Sequence, residues 1–230
     1  MISNEWFATV HEQYKFFCVI LFIIFSLIVS NYAHRKNLFS PDVIRRLVHT
    51  TVGLTMSFST IIFPSRFFPL FLAITFIFFN IIAFKSKVLS GIHSQKRKSY
   101  GTIYFPLSYL IVSYLFWEKH EFLILSFLIL AISDPIAAQI GSRKNSIWKF
   151  KVWHDDKTVN GTVAFFTSSI IILIIGNIFI LEYELIDSIS FILISAIFAT
   201  ISEITSKRGT DNLSVPIISI LIMIGLDNQF

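Results

Sequence analysis

The chain has 230 residues, of which 54% are hydrophobic and 14% charged, with 26 Phe and a mean hydropathy of +0.72. That is too apolar for a water-soluble domain of this size, and a bilayer is the solvent that fits. In such a chain the formal charge of +5 and the isoelectric point near 9.3 serve orientation and contact with anionic headgroups, so nucleic acid is not expected as a partner.

The first fifteen residues carry Glu5, His11, Glu12 and Lys15 in place of a basic leader, and no small-residue cleavage site follows. The first apolar stretch therefore reads as a retained helix. Cys18 lies within it without a second cysteine, which leaves neither a disulfide nor a cysteine-based metal site. A spanning helix takes roughly 20 mostly apolar residues, and eight candidates lie at about 15–32, 46–63, 67–84, 101–117, 121–141, 159–180, 186–201 and 213–226. The expected fold is an all-α, polytopic bundle of about eight spanning helices with short loops. Residues 1–230 then form a single integral membrane domain without an internal repeat.

The loops test that placement independently. Arg35, Lys36, Arg45 and Arg46 fall in the first, and Lys85, Lys87, Lys96, Arg97 and Lys98 in the third. Arg143, Lys144, Lys149, Lys151 and Lys157 fall in the fifth, and Lys207 and Arg208 in the seventh. Of the 19 basic residues only Lys15, Arg66 and Lys119 lie on the other side, where Glu5, Glu12, Glu118, Glu121, Glu182, Glu184 and Asp187 collect. The positive-inside rule puts the odd loops in the cytoplasm and both termini outside, and short loops favour a bacterial inner membrane. Trp6, Trp117, Trp148 and Trp153 fall near the expected interfaces, where amphipathic rings sit.

The unusual polar residues share the cytoplasmic end. Arg45, Arg46 and His49 open the second span, with His49 on the helix face of both arginines. They read either as an anchoring basic cluster with a packed histidine or as part of a site. Ser133-Asp134-Pro135 interrupts the fifth apolar run about two turns before its end. An ionisable group at that depth costs a few kcal/mol unless it is paired or faces a polar cavity, so Asp134 points to metal or phosphate. Pro135 also frees a backbone carbonyl nearby.

The sixth span begins at Asp155-Asp156-Lys157-Thr158-Val159-Asn160-Gly161-Thr162. Open amides at a helix start attract anions, Lys157 adds a point charge, and Gly161 lets backbone approach closely. The plainer alternative is a capped helix start with Thr158 as N-cap. Glu203 closes the seventh span, and Gly209, Asp211 and Asn212 lead into the eighth. Asp134, Glu203 and Asp211 supply oxygen ligands of the kind that hold Mg²⁺ together with substrate phosphates. The residues alone thus describe a cationic, carboxylate-containing pocket, suited to an anionic Mg²⁺-bearing substrate meeting a lipid one.

The ordered set is more specific than its members. R-R-L-V-H-x-x-x-G at 45–53, Y-G at 100–101, S-D-P-x-A-x-x-x-G at 133–141, K-T-x-x-G-T at 157–162 and E-x-x-x-x-x-G-x-D-N-L-x-x-P at 203–216 resemble the phytol kinase and dolichol kinase family. The resemblance covers about residues 42–220. It implies a fold related to that of phosphatidate cytidylyltransferase, CTP as phosphate donor, and a lipid alcohol such as phytol or a polyprenol as acceptor. It also implies that Asp134 and its neighbours, Lys157 to Thr162, and Glu203 with Asp211 and Asn212 form the nucleotide and metal site. Ser133 stands where the family usually has glycine, and Asn160 where an acidic residue is common, which leaves a role open for Asp155 or Asp156.

The expected activity is CTP-dependent transfer of the γ-phosphate to a lipid alcohol. Asp134, Lys157 and Glu203 are the catalytic candidates, and Asp134, Glu203 and Asp211 the metal ligands. Arg46, His49, Ser133, Lys157, Thr158, Gly161, Thr162 and Asn212 are the nucleotide-binding set. A cytidylyltransferase making a CDP-lipid is the enzymatic alternative, and a transporter or lipid scramblase the alternative of another class. The choice of alcohol and the oligomeric state are not encoded in any residue pattern here.

Overall fold

A computed structural model of the chain describes residues 2–86, 100–143, 146–153, 155–184, 186 and 188–227, without the side chains of residues 2–10 and 83–86. Lys87, Lys96, Arg97, Lys98, Lys144 and Asp187 lie outside the described residues, as do the side chains of Glu5, Trp6 and Lys85.

The helices run α1 (Ile2–Arg35), α2 (Pro41–Ser57), α3 (Ser59–Ile62), α4 (Phe67–Ser86), α5 (Gly101–Phe116), α6 (His120–Leu128), α7 (Asp134–Gly141), α8 (Val159–Gly176), α9 (Ile189–Thr205) and α10 (Asp211–Asp227). The described parts of the eight apolar segments lie largely on helix. Three of the rods, His11–Arg35, His120–Gly141 and Val159–Leu181, are long and apolar enough to cross a bilayer, while Phe67–Ile82, Gly101–Phe116 and Ile189–Thr205 are apolar but shorter.

Local chemistry sets the boundaries. Ser40 caps α2 by accepting from the Val43 amide, and Pro41 supplies the first-turn geometry. The expected run 46–63 breaks at Phe58, after Thr55 and Ser57 turn their hydroxyls back onto the carbonyls of Thr51 and Gly53 at 2.9 and 2.8 Å, a pattern that bends helices. Between α6 and α7 the backbone widens into a π turn, Ile129–Ser133. Pro135 follows at once; it has no N–H for the preceding turn, and the wider turn accommodates its ring.

The α6–α7 rod is the axis of the molecule. Of its apolar stretch 61% is buried, against 17% for α1 and 33% for α8, and it touches α2, α8 and α10. Phe122, Leu123, Leu125, Phe127, Ile129 and Leu130 are fully enclosed. By contrast Phe17, Leu21, Phe25, Ile28 and Tyr32 of α1 stand exposed, an apolar surface far larger than a soluble protein carries. The interior accommodates hydroxyls: Ser108, Ser126, Ser133 and Ser169 are buried and hydrogen-bonded within or between helices, as in close-packed membrane helices.

Polar contacts collect at the two ends of the bundle. At one end Ser65 donates to Glu12, Arg66 to the Tyr114 carbonyl at 2.8 Å, and both Lys119 and Tyr183 to Asp227. Apart from Tyr114 near the end of α5, these residues belong to the even connections and to the first and last helices of the chain. The fifth and seventh connections meet at the opposite end, where the fifth is not a plain loop.

There Lys149–Val152 and Asp155–Thr158 form an antiparallel hairpin, β1 and β2. Its register pairs Lys149 with Thr158, Phe150 with Lys157, Lys151 with Asp156 and Val152 with Asp155. Side chains alternate across such a ribbon, so Phe150, Val152, Asp155 and Lys157 share the inner face while exposed Lys149, Lys151 and Asp156 share the outer one. The short apolar–basic alternation here has too few residues to stand out from a loop by pattern alone.

Candidate functional site

Two close helix crossings assemble the polar end. A Cβ on Gly53 would lie 2.5 Å from the Ala131 Cβ, so α2 reaches the π turn only because residue 53 lacks a side chain. One turn back along α2 stands His49, and just beyond the π turn stands Asp134; their Nε2 and Oδ2 atoms are 3.9 Å apart. The second crossing joins α7 to α8. A Cβ on Gly161 would meet the Ala137 carbonyl at 3.2 Å, with the Gly141 Cα at 3.4 Å. The close approach that Gly161 permits is therefore that of α7.

Lys157 comes from the inner face of the hairpin and meets the last turn of α9. Its ammonium pairs with the Glu203 carboxylate and donates to the Glu203 carbonyl at 3.0 Å. The pair is largely enclosed, with side-chain exposures of 17% and 8%. Two neighbours pin the hairpin to the same segment: Asp155 accepts from the Arg208 amide at 2.8 Å, and the Trp153 indole donates to the Thr205 carbonyl at 3.1 Å. The amide of Tyr100, at the start of α5, donates to the Arg208 carbonyl at 3.0 Å.

Asp211 opens α10 and accepts, on one oxygen, from both the backbone and the side-chain amide of Asn212 at 2.9 Å. Asn212 also donates to the Gly209 carbonyl, so it shapes the turn into α10. Asp134 interacts electrostatically with Asp211, Glu203, Lys157 and Arg45, and His49 with Asp211 and Arg45. Asp134 of α7 thus lies within electrostatic range of the other two carboxylates singled out in the sequence, Glu203 of α9 and Asp211 of α10.

The other candidates are placed by their neighbours, Thr158 in the capping role that was the plainer of its two readings. Thr158 is the N-cap of α8, its hydroxyl accepting from the Gly161 amide at 3.1 Å. Ser133 is fully buried and accepts from Ser169 on α8 at 3.2 Å. Thr162 has a buried hydroxyl without a hydrogen bond among the described residues. Arg45, absent from the expected nucleotide set, acts on Asp134, while Arg46 is half-buried on the same helix turn. Asn160 accepts from the Ile147 amide at 2.8 Å. Of the two open aspartates, Asp155 ties the hairpin down and Asp156 faces outward. Only the i+3 and i+4 spacings were visible in the sequence, so the choice between Arg45 and Arg46 depended on the crossing at Gly53.

Around Asp134 the charged groups are the carboxylates of Asp211 and Glu203 and the cations of Lys157 and Arg45. Among the described residues no three His, Cys, Asp or Glu side chains come close enough to hold a metal unaided. The donor set nevertheless fits Mg²⁺, which takes one or two carboxylates and completes its shell with phosphate and water. The buried His49 Nε2, without a hydrogen bond among the described residues, marks the same spot as polar and unsatisfied.

Fold and site together define a helical protein with membrane-length apolar rods and a polar end where Asp134, Glu203 and Asp211 lie near Lys157 and Arg45. No family model matches the chain, and no solved structure does. It is 28% identical over 191 residues to an uncharacterized protein of Methanocaldococcus jannaschii, covering 79% of this chain and 92% of that one. It is 22% identical over 204 residues to the phytol kinase of Synechocystis, covering 85% and 84%. An uncharacterized protein of Rickettsia prowazekii is 36% identical over 119 residues, covering 51% and 53%. The likeness to phytol kinase is distant but runs through most of both chains, and it suggests that family at most.

Proposed function

We propose that the chain is a CTP-dependent kinase that transfers the γ-phosphate to the hydroxyl of a membrane lipid alcohol. The work is done at the cytoplasmic end of a bundle whose eight helical rods cross a bacterial inner membrane with both termini outside. The observation that carries the reading is the meeting of separate sequence motifs around Asp134: His49 from α2, Lys157 from the hairpin, Glu203 from α9 and Asp211 from α10. The phytol kinase of Synechocystis supports the reaction type.

In the proposed reaction the alcohol oxygen attacks the γ-phosphorus, the bond from that phosphorus to the β-phosphate oxygen breaks, and CDP leaves. Asp134 takes the hydroxyl proton. Such transfer needs positioning and charge neutralisation more than a side-chain nucleophile. Asp134, Asp211 and Glu203 would hold Mg²⁺, which would neutralise phosphate charge, and Lys157 would bind the triphosphate.

Asp134, Glu203 and Asp211 all lie toward the same end of the bundle, which supports an interfacial enzyme over a transporter or scramblase, whose pathway would carry polar groups through the bilayer depth. Purified protein incubated with CTP, Mg²⁺ and phytol, geranylgeraniol, polyprenols or diacylglycerol is the test. The expected result is a phosphorylated lipid and an equal amount of CDP. Absence of product from every alcohol counts against the kinase, and release of pyrophosphate in the presence of a lipid phosphate selects the cytidylyltransferase.

A further inference from the structure

The inner face of the β1–β2 hairpin is occupied by the contacts of Lys157 to Glu203 and of Asp155 to Arg208, and Trp153 ties to Thr205, while Lys149 and Lys151 on the outer face stand exposed. Trp148 is 77% exposed, Trp153 65% and Ile147 62%, and Lys149, Lys151 and Arg143 stand exposed beside them. Both tryptophans hold left-handed backbone, with φ of 50° and 58°, which bulky residues adopt rarely and at a cost. Trp153 is held there by its bond to the Thr205 carbonyl and by Lys207, whose ammonium lies 4.5 Å from the ring centre.

Position identifies the partner. The Trp148 carbonyl accepts from the Val159 amide at 3.3 Å, so the ring sits at the mouth of the Val159–Leu181 rod, one of the three fit to span a bilayer. The ribbon therefore lies across the helix ends at the level where hydrocarbon gives way to headgroups, the depth that tryptophan favours. Three cations against one outward carboxylate, Asp156, make this face complementary to an anionic surface.

We propose that the outer face of the hairpin docks onto anionic phospholipid headgroups of the adjacent leaflet. The proposal rests on the spanning reading of α8 and not on the kinase reading. Because Lys157 lies on the inner face of the same ribbon, lipid charge is coupled to the order of the polar end.

The test uses the full chain in nanodiscs whose lipids carry bromine near the top of the acyl chain. The Trp148 contribution to quenching is isolated by difference from a W148F variant. Quenching should be stronger in discs containing phosphatidylglycerol than in pure phosphatidylcholine. Each of K149E and K151E should lower the docked population roughly fivefold. High salt on the unmutated protein should reproduce that loss, which keeps the test independent of how the variants fold. Trp148 unquenched in both lipids, or quenched equally in both and insensitive to salt, overturns the proposal. So does shielding of Trp148 that arises only when two copies share a disc, which assigns the face to a second copy instead.

Discussion

Lys157 holds Glu203 twice, through the carboxylate and through the main-chain carbonyl at 3.0 Å. The hairpin is thereby fastened to the end of α9 by a pair that is itself largely enclosed. Removing the lysine strands a buried carboxylate, and losing one partner of such a pair costs about 3–5 kcal/mol. Lys157→Met should therefore unfold markedly earlier in detergent, and the double variant K157M/E203Q should recover most of that loss. Phosphotransfer should be absent from both. Recovery of activity along with stability would reduce the pair to a structural tie.

The crossing of Gly53 and Ala131 yields a reciprocal expectation. A methyl on Gly53 lands 2.5 Å from the Ala131 Cβ, so Gly53→Ala should destabilise the protein by about 1–3 kcal/mol through overpacking. It should also separate His49 from Asp134 and lower activity. The compensating change in G53A/A131G restores the space, and thermal unfolding of the four proteins in a double-mutant cycle should reveal strong coupling.

Asp134 lies beside the π turn with His49 at 3.9 Å. Asp134→Asn keeps its size while removing the proposed proton acceptor and proposed cation ligand. The variant should purify as a folded protein with an unchanged unfolding temperature, and its turnover should fall by roughly 10²–10⁴-fold, the range for loss of a general base. Steady-state kinetics with saturating CTP and alcohol measures it.

Tyr183 and Lys119 both donate to Asp227 at the end of the bundle away from Asp134. Burial first, then the bond to Asp227, raises the Tyr183 phenol above its ordinary 10.0. The bond to Asp227 raises Lys119 above 10.5. Both groups hold their protons more tightly in the folded state. Their stabilisation is complete below the unfolded values and is lost as pH rises through the folded ones. The difference in unfolding temperature between the unmutated protein and K119M/Y183F should stay constant between about pH 6 and 9 and shrink above about pH 10.

The apolar segments were legible because bilayer-length hydrophobic runs carry their own signal, and their described parts lie largely on helix. The break at Phe58 and the widening before Pro135 were less so, since the hydroxyl back-bonds at Thr55 and Ser57 and the shift in helical pitch leave no periodic trace. At the site, Asp134, Glu203 and Asp211 stood out because charge is rare in such a chain. The crossings at Gly53 and Gly161 set α2 and α8 against the rod that carries Asp134, and no linear pattern names their partners. The hairpin was hidden for a similar reason: its inner face is defined by Thr205 and Arg208, some fifty residues away.

The position of the label in CTP offers the sharpest check on the proposed chemistry. With purified protein, Mg²⁺ and a lipid alcohol that supports turnover, phosphate labelled at the γ position should pass to the lipid while α-labelled phosphate stays with the released nucleotide. Label entering the lipid from the α position, or from neither position with any alcohol, contradicts the account.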